Sequence, residues 1–387
     1  MLSEKSTPVI EATLPVVGQH IGEISELFYR KLFDAAPSLK QDLFNQTNQR
    51  NREQQKALAG AVAAFATMLI TKDAPPIDAV MARIAAKHAS LGVTPVQYDV
   101  VRTQLFEAIA EVLGDAVTDE VAAAWDEVYW LMAKSLMKQE AILYDKAGVK
   151  AGQIWTSVNV LENQEVAPGI VSLTLGSVDG TPLPDFLPGQ YISVAVIFQD
   201  GSRQIRQYSL SAGKPDGSWR ITVKVVPNGI VSVQLADIIA GANLTVSQPF
   251  GSLVFQDGDT PITLVSSGSG IAPNLSILQH LVKTNSRRQV RVVHVDGSPQ
   301  SHAHRDEMKD LVSYLPDGSI QTVYKSEIGN DRVPGLIAKS FPRAGEVYLC
   351  GPVPFMREVR ALALQSGISE SAVYYEAFTP GSWLGFD

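Results

Sequence analysis

The stretch MARIAAKHASLGVTPVQY, residues 81–98, decides how this chain is read. Met81, Ile84, Ala85 and His88 recur at helical spacing, so the imidazole points where the apolar side chains point. Gly92 is a natural helix terminator. Thr94, Pro95 and Gln97 then supply an N-cap, a first-turn proline and the third-position partner of a capping box. Tyr98 lies one turn into the new helix. A histidine on an apolar helix face needs a partner. A backbone carbonyl serves as well as a ligand does, and this stretch alone leaves both open.

The surroundings narrow the choice. At 387 residues the chain has room for two or three domains. A net charge of -8 without any basic run argues against nucleic acid. The single Cys350 excludes an intrachain disulfide and fits a reducing compartment. The opening MLSEKSTPVIEATLPVV is interrupted by Glu4, Lys5 and Glu11, so it does not read as a signal peptide. No uncharged apolar run approaches the ~20 residues of a membrane span. A cytoplasmic monomer is expected.

Composition changes near residue 150. The first 150 residues hold only six of the 29 glycines and six of the 22 prolines, and their periodicity is helical. Helices are predicted over 23–34, 53–70, 78–91, 95–113 and 119–146. After Gly148 come short strands: TSVNVLENQEV, GIVSLTLGSV, GQYISVAVIF, WRITVKVV and ANLTVSQPFG, which suggest a small antiparallel barrel. From Pro261, ITLVSS, QVRVVHV, SIQTVY, EVYLCG and AVYYEAF alternate with helical segments, as in a parallel α/β sheet. The expected domains are 1–147, 152–257 and 258–387.

Three motifs in the last two domains carry chemistry. In Arg206-Gln207-Tyr208-Ser209-Leu210, alternation puts Arg206, Tyr208 and Leu210 on one face and Gln207 and Ser209 on the other. A cation, an aromatic ring and a hydroxyl there suit a flat heterocycle attached to a diphosphate. Strand ITLVSS runs into Gly268-Ser269-Gly270-Ile271-Ala272-Pro273 and a helix, a small-residue turn that lets backbone amides approach a pyrophosphate. It is GxGxxP, so the Rossmann fingerprint is not met. Cys350-Gly351-Pro352 ends a buried strand, and with no His near it in sequence Cys350 reads as a small buried hydrophobe.

In this order the pieces resemble the ferredoxin–NADP reductase family: RxYS at Arg206–Ser209, PGQY at Pro188–Tyr191, GxGxxP at Gly268–Pro273, CGP at Cys350–Pro352, and a closing aromatic, Phe378. The resemblance implies FAD on the barrel, NAD(P)H on the α/β domain and hydride transfer to flavin N5. It implies FAD contacts from Tyr191, Arg206, Gln207, Tyr208 and Ser209, from Gly229 and Ser232 of NGIVS, and from Glu376, Ala377, Phe378, Thr379 and Pro380. Nucleotide contacts fall on Gly268, Ser269, Gly270, Ile271, Ala272 and Pro273, and on Cys350, Gly351 and Pro352. Ala272 departs from the family, which usually has Thr before the Pro. Asp296, just past QVRVVHV, is placed to favour a free ribose, although the turn is not of the Rossmann kind.

The helical segments FYRKLF, LFNQTNQRNREQQKAL, KHASLGVTPVQY and AWDEVYWLMAKSLMKQEAILY, followed by this module, resemble the flavohaemoglobins over essentially the whole chain. The fold implied is an all-α globin, an antiparallel β-barrel and an α/β parallel-sheet domain. The cofactors implied are haem b, FAD and NAD(P)H. His88 corresponds to the proximal iron ligand, with Tyr98 and Glu140 as its charge-relay pair. Tyr29 corresponds to the distal hydrogen-bond donor, with Phe44, Gln54 and Leu58 in the haem pocket; Lys87 and Glu376 match positions between haem and flavin. The other histidine of the helical region, His20, is too near the N-terminus for the proximal role. Glu140 has support of its own, because Met132, Leu136 and Glu140 occur every fourth residue and a carboxylate continuing an apolar stripe must be paired.

The activity implied is that of a nitric oxide dioxygenase: electrons pass from NAD(P)H through FAD to haem iron, and NO and O2 become nitrate. Two other classes compete, an O2 or NO carrier or sensor with a maintenance reductase, and a haem-free reductase whose helical domain docks a partner. An apolar distal pocket also has room for a lipid tail.

Overall fold

The computed structural model describes residues 2–37, 39, 53–72, 77–198, 201–342 and 344–376. The chain forms two compact units, one built on Met1–Ile154 and the other on Trp155–Val194 with Arg206–Ala377.

The first unit is helical: α1 (Ser6–Gln19), α2 (Ile21–Ala35), α3 (Glu53–Ile70), α4 (Ile77–Leu91), α5 (Pro95–Leu113) and α6 (Asp119–Lys146). α1 lies outside the helices predicted from the sequence, because Pro8 and Pro15 mask it. Pro8 falls in the first turn, where no amide is required, and Pro15 is carried inside the helix. Tertiary contacts override the penalty. Ile10 and Val17 are buried in a core with Phe28, Leu32, Met81, Leu105 and Leu136. α1 is further tied to α6 by Trp125 Nε1–H donating to Thr13 Oγ1 at 3.0 Å.

The corner between α4 and α5 follows the expected signals. Gly92 takes φ +79°. Its N–H bonds Ala89 O at 3.0 Å and Val93 N–H bonds His88 O at 3.1 Å, the paired hydrogen bonds of a Schellman ending. The capping box forms, with Thr94 N–H donating to Gln97 Oε1 at 2.7 Å and the Gln97 backbone amide facing the Thr94 side chain.

The second unit opens with a closed barrel of β1 (Trp155–Ala167), β2 (Ile170–Ser177), β3 (Tyr191–Ile197), β4 (Arg203–Gly213), β5 (Trp219–Lys224) and β6 (Asn243–Ser247), ordered β1-β2-β5-β4-β3-β6. A short helix, α7 (Ile230–Ala236), follows β5. Then come β7 (Ile262–Ser267), α8 (Ile271–Lys283), β8 (Val290–Asp296), α9 (Arg305–Ser313), β9 (Gly318–Tyr324), β10 (Glu346–Cys350), α10 (Val353–Gln365) and β11 (Val373–Tyr375). Within the described part of the expected strand AVYYEAF, Val373–Tyr375 pairs with β10. The parallel sheet is ordered β11-β10-β7-β8-β9. The chain therefore reverses direction across the sheet between β7 and β10, and their carboxyl ends flank the crevice where open α/β sheets bind ligands.

At the other end of those strands Arg288, 3% exposed, pairs with Glu346 at 2.6 Å and donates to Gln256 O at 2.9 Å. Among the described residues no helix is long and apolar enough to cross a membrane. Replacing Gln97 with Ala removes the side-chain bond that Gln97 gives the capping box. We expect a loss of about 1 kcal/mol, read by urea unfolding at the helical circular-dichroism signal.

Candidate functional site

In the helical unit three side chains meet. His88 is in the last turn of α4, Tyr98 in the first turn of α5, and Glu140 late on α6. His88 Nδ1 lies 2.9 Å from Glu140 Oε1 and 2.8 Å from the Tyr98 hydroxyl oxygen. The Tyr98 hydroxyl donates to the same Glu140 oxygen. Glu140 is 2% exposed, so the stripe on α6 does not run out to solvent. Burial, and next the Glu140 charge, push the Tyr98 phenol well above its ordinary value, keeping its proton in place.

Counting protons fixes the histidine. Tyr98 has one proton and gives it to Glu140, and a carboxylate has none to offer. The Nδ1 contacts therefore need a proton on Nδ1, which leaves the lone pair on Nε2. Among the described residues Nε2 has no hydrogen-bond partner. An imidazole with Nδ1–H held by a carboxylate, and with no partner at Nε2 among the described residues, is the donor that haem iron takes. These residues fit haem.

Two tyrosines hold the corner that carries this cluster. Tyr129 OH donates to Tyr98 O at 2.6 Å and Tyr144 OH donates to Val93 O at 2.8 Å, both from α6. Neither was singled out from the sequence. Tyr144 had a signal, since it follows Glu140 on the same every-fourth-residue stripe.

Tyr29 on α2 is buried against Phe28 and Phe33, with ring centroids at 4.8 and 5.7 Å. Burial pushes its phenol upward, so it remains a protonated donor. Lys87 is half-buried on α4. Gln54 and Leu58 lie on α3, but their side chains fall outside the described residues, as do Phe44, Ala377, Phe378, Thr379 and Pro380.

On the barrel, β4 carries Arg206, Gln207 and Tyr208 half-buried and Ser209 buried. Gln207 Nε2–H donates to Ser193 Oγ at 2.9 Å. Burial lowers the Arg206 guanidinium and raises the Tyr208 phenol relative to their ordinary values. Tyr191 is buried, its backbone bridged to Phe250. Gly229 caps α7, and Ser232 Oγ accepts from Val226 N–H at 3.0 Å, closing the NGIVS turn.

On the sheet, Gly268–Gly270 forms a single 3-10 turn between β7 and α8, with Gly268 at φ +55°. A Cβ at Gly270 would strike the Cys350 carbonyl and lie 2.9 Å from Gly351 N. The sequence shows two separate motifs; the fold presses them together at the β7/β10 crevice. Pro273 and Ala272 are buried at the start of α8. Burial, with the Glu376 charge next, pushes the Cys350 thiol up to about 12, so it is no nucleophile at neutral pH. Glu376 Oε2 accepts from Ser252 N–H at 2.8 Å and Leu253 N–H at 3.3 Å.

Asp296 does not keep a carboxylate free for a ribose. Its Oδ1 accepts from Gly297 N–H at 2.6 Å and Ser301 Oγ–H at 2.5 Å, and Oδ2 faces His294 Nε2 at 3.3 Å. Burial works against the charge, but these bonds outweigh it and hold the carboxyl near 2. The acid braces its own loop. His302 stacks on His294 at 4.1 Å and meets Tyr324 OH at 3.0 Å.

The comparisons agree with this geometry. Residues 26–136 match the Globin family, 158–255 the oxidoreductase FAD-binding domain and 264–361 the oxidoreductase NAD-binding domain. A flavohemoprotein of Rhizobium meliloti (strain 1021) is 38% identical over 408 residues, covering 98% of this chain and 99% of that protein. The chain belongs to the flavohemoprotein family. A Malassezia yamatoensis flavohemoglobin crystallised with bound FAD and haem superposes at a TM-score of 0.89, with 32% identity over 97% of this chain and 99% of that one. The FAD/NAD-binding domain of a Vibrio cholerae nitric oxide dioxygenase superposes at 0.53, with 29% identity over 59% of this chain and 100% of that one. The flavohemoprotein fold accounts for the globin, barrel and parallel sheet together, and membership makes the chain an oxidoreductase whose cofactors are haem, FAD and NAD(P)H.

Burial pulls the His302 imidazole from 6.5 down to about 3. Between those values the unfolded chain binds the proton that the folded chain refuses, so stability falls as pH falls through this window. We expect the thermal midpoint of the second unit to drop from pH 6.5 toward pH 3, and to drop less steeply in His302→Gln, measured by calorimetry across that range.

Proposed function

We propose that the chain is an NAD(P)H-driven nitric oxide dioxygenase, each NO taking one O2 and one electron to leave as nitrate. The observation that carries the reading is the Nδ1–H of His88 held by buried Glu140, with no partner at Nε2 among the described residues. When bound, haem supplies the iron that takes O2, and FAD turns a two-electron donor into one-electron delivery.

The chain's own side chains then have defined work. His88 Nε2 binds the iron. Glu140 and Tyr98 hold Nδ1–H toward imidazolate character, which raises electron density at the metal and favours oxidation over reversible carriage. Tyr29 would be the distal hydrogen-bond donor, with Phe44, Gln54 and Leu58 assigned to the haem pocket and Lys87, beside His88, to the side between haem and flavin. Arg206, Gln207, Tyr208, Ser209, Tyr191, Gly229 and Ser232 hold FAD with the segment 376–380, and the turns 268–273 and 350–352 hold the nucleotide. The domain boundaries are 1–147, 152–257 and 258–387, which enclose the three matched regions.

The purified protein should show a Soret band beside flavin absorbance, and anaerobic NADH should shift the Soret from ferric to ferrous. His88→Ala should lose haem. Flavin bleaching without any Soret band in the wild type would overturn the reading and leave a partner-directed reductase. Tyr29→Phe removes one hydrogen bond, of about 1.4 kcal/mol, and should speed O2 loss roughly tenfold, read by stopped-flow O2 dissociation. Glu140→Gln should keep haem while lowering steady-state NO consumption in air.

A further inference from the structure

The loop after β8, residues 297–304, reaches from the parallel sheet to the barrel. Ala303 is 1% exposed and packs with Ala167 and Ile170 where β1 turns into β2. His304 follows in the left-handed region, at φ +54°, a conformation that costs a residue with a Cβ and is kept where surrounding contacts over-determine it. Those contacts are on both sides. His304 Nε2 lies 3.0 Å from Thr222 Oγ1 on β5, and Nδ1 lies 3.2 Å from Glu307 Oε2 on α9.

Glu307 is the centre of the contact. Its Oε1 accepts from Arg220 on β5 at 2.7 Å and from Gln279 Nε2 on α8 at 3.2 Å. Arg220 is not an exposed arginine reaching out. Its side chain is 14% exposed, and its Nε–H donates to Ser211 Oγ at 3.0 Å. Ser211 lies two residues beyond Ser209 on the strand that carries Arg206, Gln207 and Tyr208. Gln279 lies on the helix that starts directly after the Gly268–Gly270 turn. One carboxylate thus joins the strand read as flavin-binding to the helix behind the turn read as nucleotide-binding. Exposed ion pairs contribute little, but this one is part-buried, shared among three partners and seated by an apolar plug.

We propose that Arg220 and Glu307, seated by Ala303 and His304, fasten the parallel sheet to the barrel at the separation that hydride transfer requires, making both of them positioning residues for flavin reduction. The proposal rests on the reading of the chain as an NAD(P)H-oxidising flavoprotein. In that step the C4–H bond of the dihydronicotinamide breaks and its hydride, with both electrons, bonds to flavin N5. The nucleotide is oxidised by two electrons and the flavin is reduced by two. The reaction is sensitive to fractions of an ångström in approach. Elsewhere Gly189 N–H donates to Ser276 Oγ at 3.1 Å, so losing the fastener loosens the sheet without freeing it.

The test uses the full chain loaded with FAD and haem, comparing wild type, Glu307→Gln, and the charge swap Arg220→Glu with Glu307→Arg. Hydrogen exchange reads the contact directly. In Glu307→Gln the amides of 164–166 and 305–308 should exchange about tenfold faster. Anaerobic stopped-flow with NADH should show the limiting flavin-reduction rate falling about tenfold, while half-saturating NADH stays within about twofold. The charge swap should recover much of both. Faster exchange with an unchanged limiting rate would overturn the positioning role, and wild-type exchange would overturn the fastener itself. A limiting rate that falls without recovery in the swap would also overturn it. Failure of the wild type to be reduced by NADH at all would instead be failure of the underlying reading, visible before any variant is made.

Discussion

A carboxylate inside an apolar helical core is tolerated only when donors converge on it, because an unpaired buried charge costs several kcal/mol. Glu140 receives two such donors at a single oxygen, the Nδ1–H of His88 and the hydroxyl of Tyr98. The rest of the helical unit serves this arrangement. The Gly92 ending of α4 and the Gln97 bond at the start of α5 set the turn between His88 and Tyr98. Tyr129 and Tyr144 clasp that turn from the helix that carries Glu140. Within this cluster Nδ1 of His88 is held, and among the described residues Nε2 has no hydrogen-bond partner.

The second unit handles its polar groups by the same rule. At the amino ends of its parallel strands Arg288 and Glu346 close on each other and on backbone carbonyls. At the carboxyl ends of β7 and β10 the backbone is kept bare: Gly270 abuts Cys350 with no room for a Cβ. Backbone amides without side chains in the way are what a nucleotide's phosphates need, which is the use proposed for these two strand ends. Cys350 fits the same account, since burial pushes its thiol far from reactivity and leaves it as a small packing group.

Where the sequence reading and the structure part, the reason is tertiary in each case. Pro8 and Pro15 hide α1 because proline is a local signal, whereas burial of Ile10 and Val17 is not local. In the sequence Asp296 is placed to favour a free ribose by its position just past a strand. In the fold the loop closes back on it and uses both oxygens.

Periodicity, composition and motif order, read along the chain, were enough for the three-part architecture, the helix face of His88, the stripe ending in Glu140, and the order of the flavin and nucleotide motifs. Those properties repeat along the backbone or depend on neighbours a turn apart, so they are written locally. Only the tertiary structure decided which nitrogen of His88 carries the held proton, because that depends on the acceptor oxygens of Tyr98 and Glu140, ten and 52 positions away. The same holds for the meeting of Gly270 with Cys350 and of Arg220 with Glu307, pairs separated by long stretches of chain. Side chains distant in sequence are brought to hydrogen-bond range by packing alone, and chemistry is decided at that range.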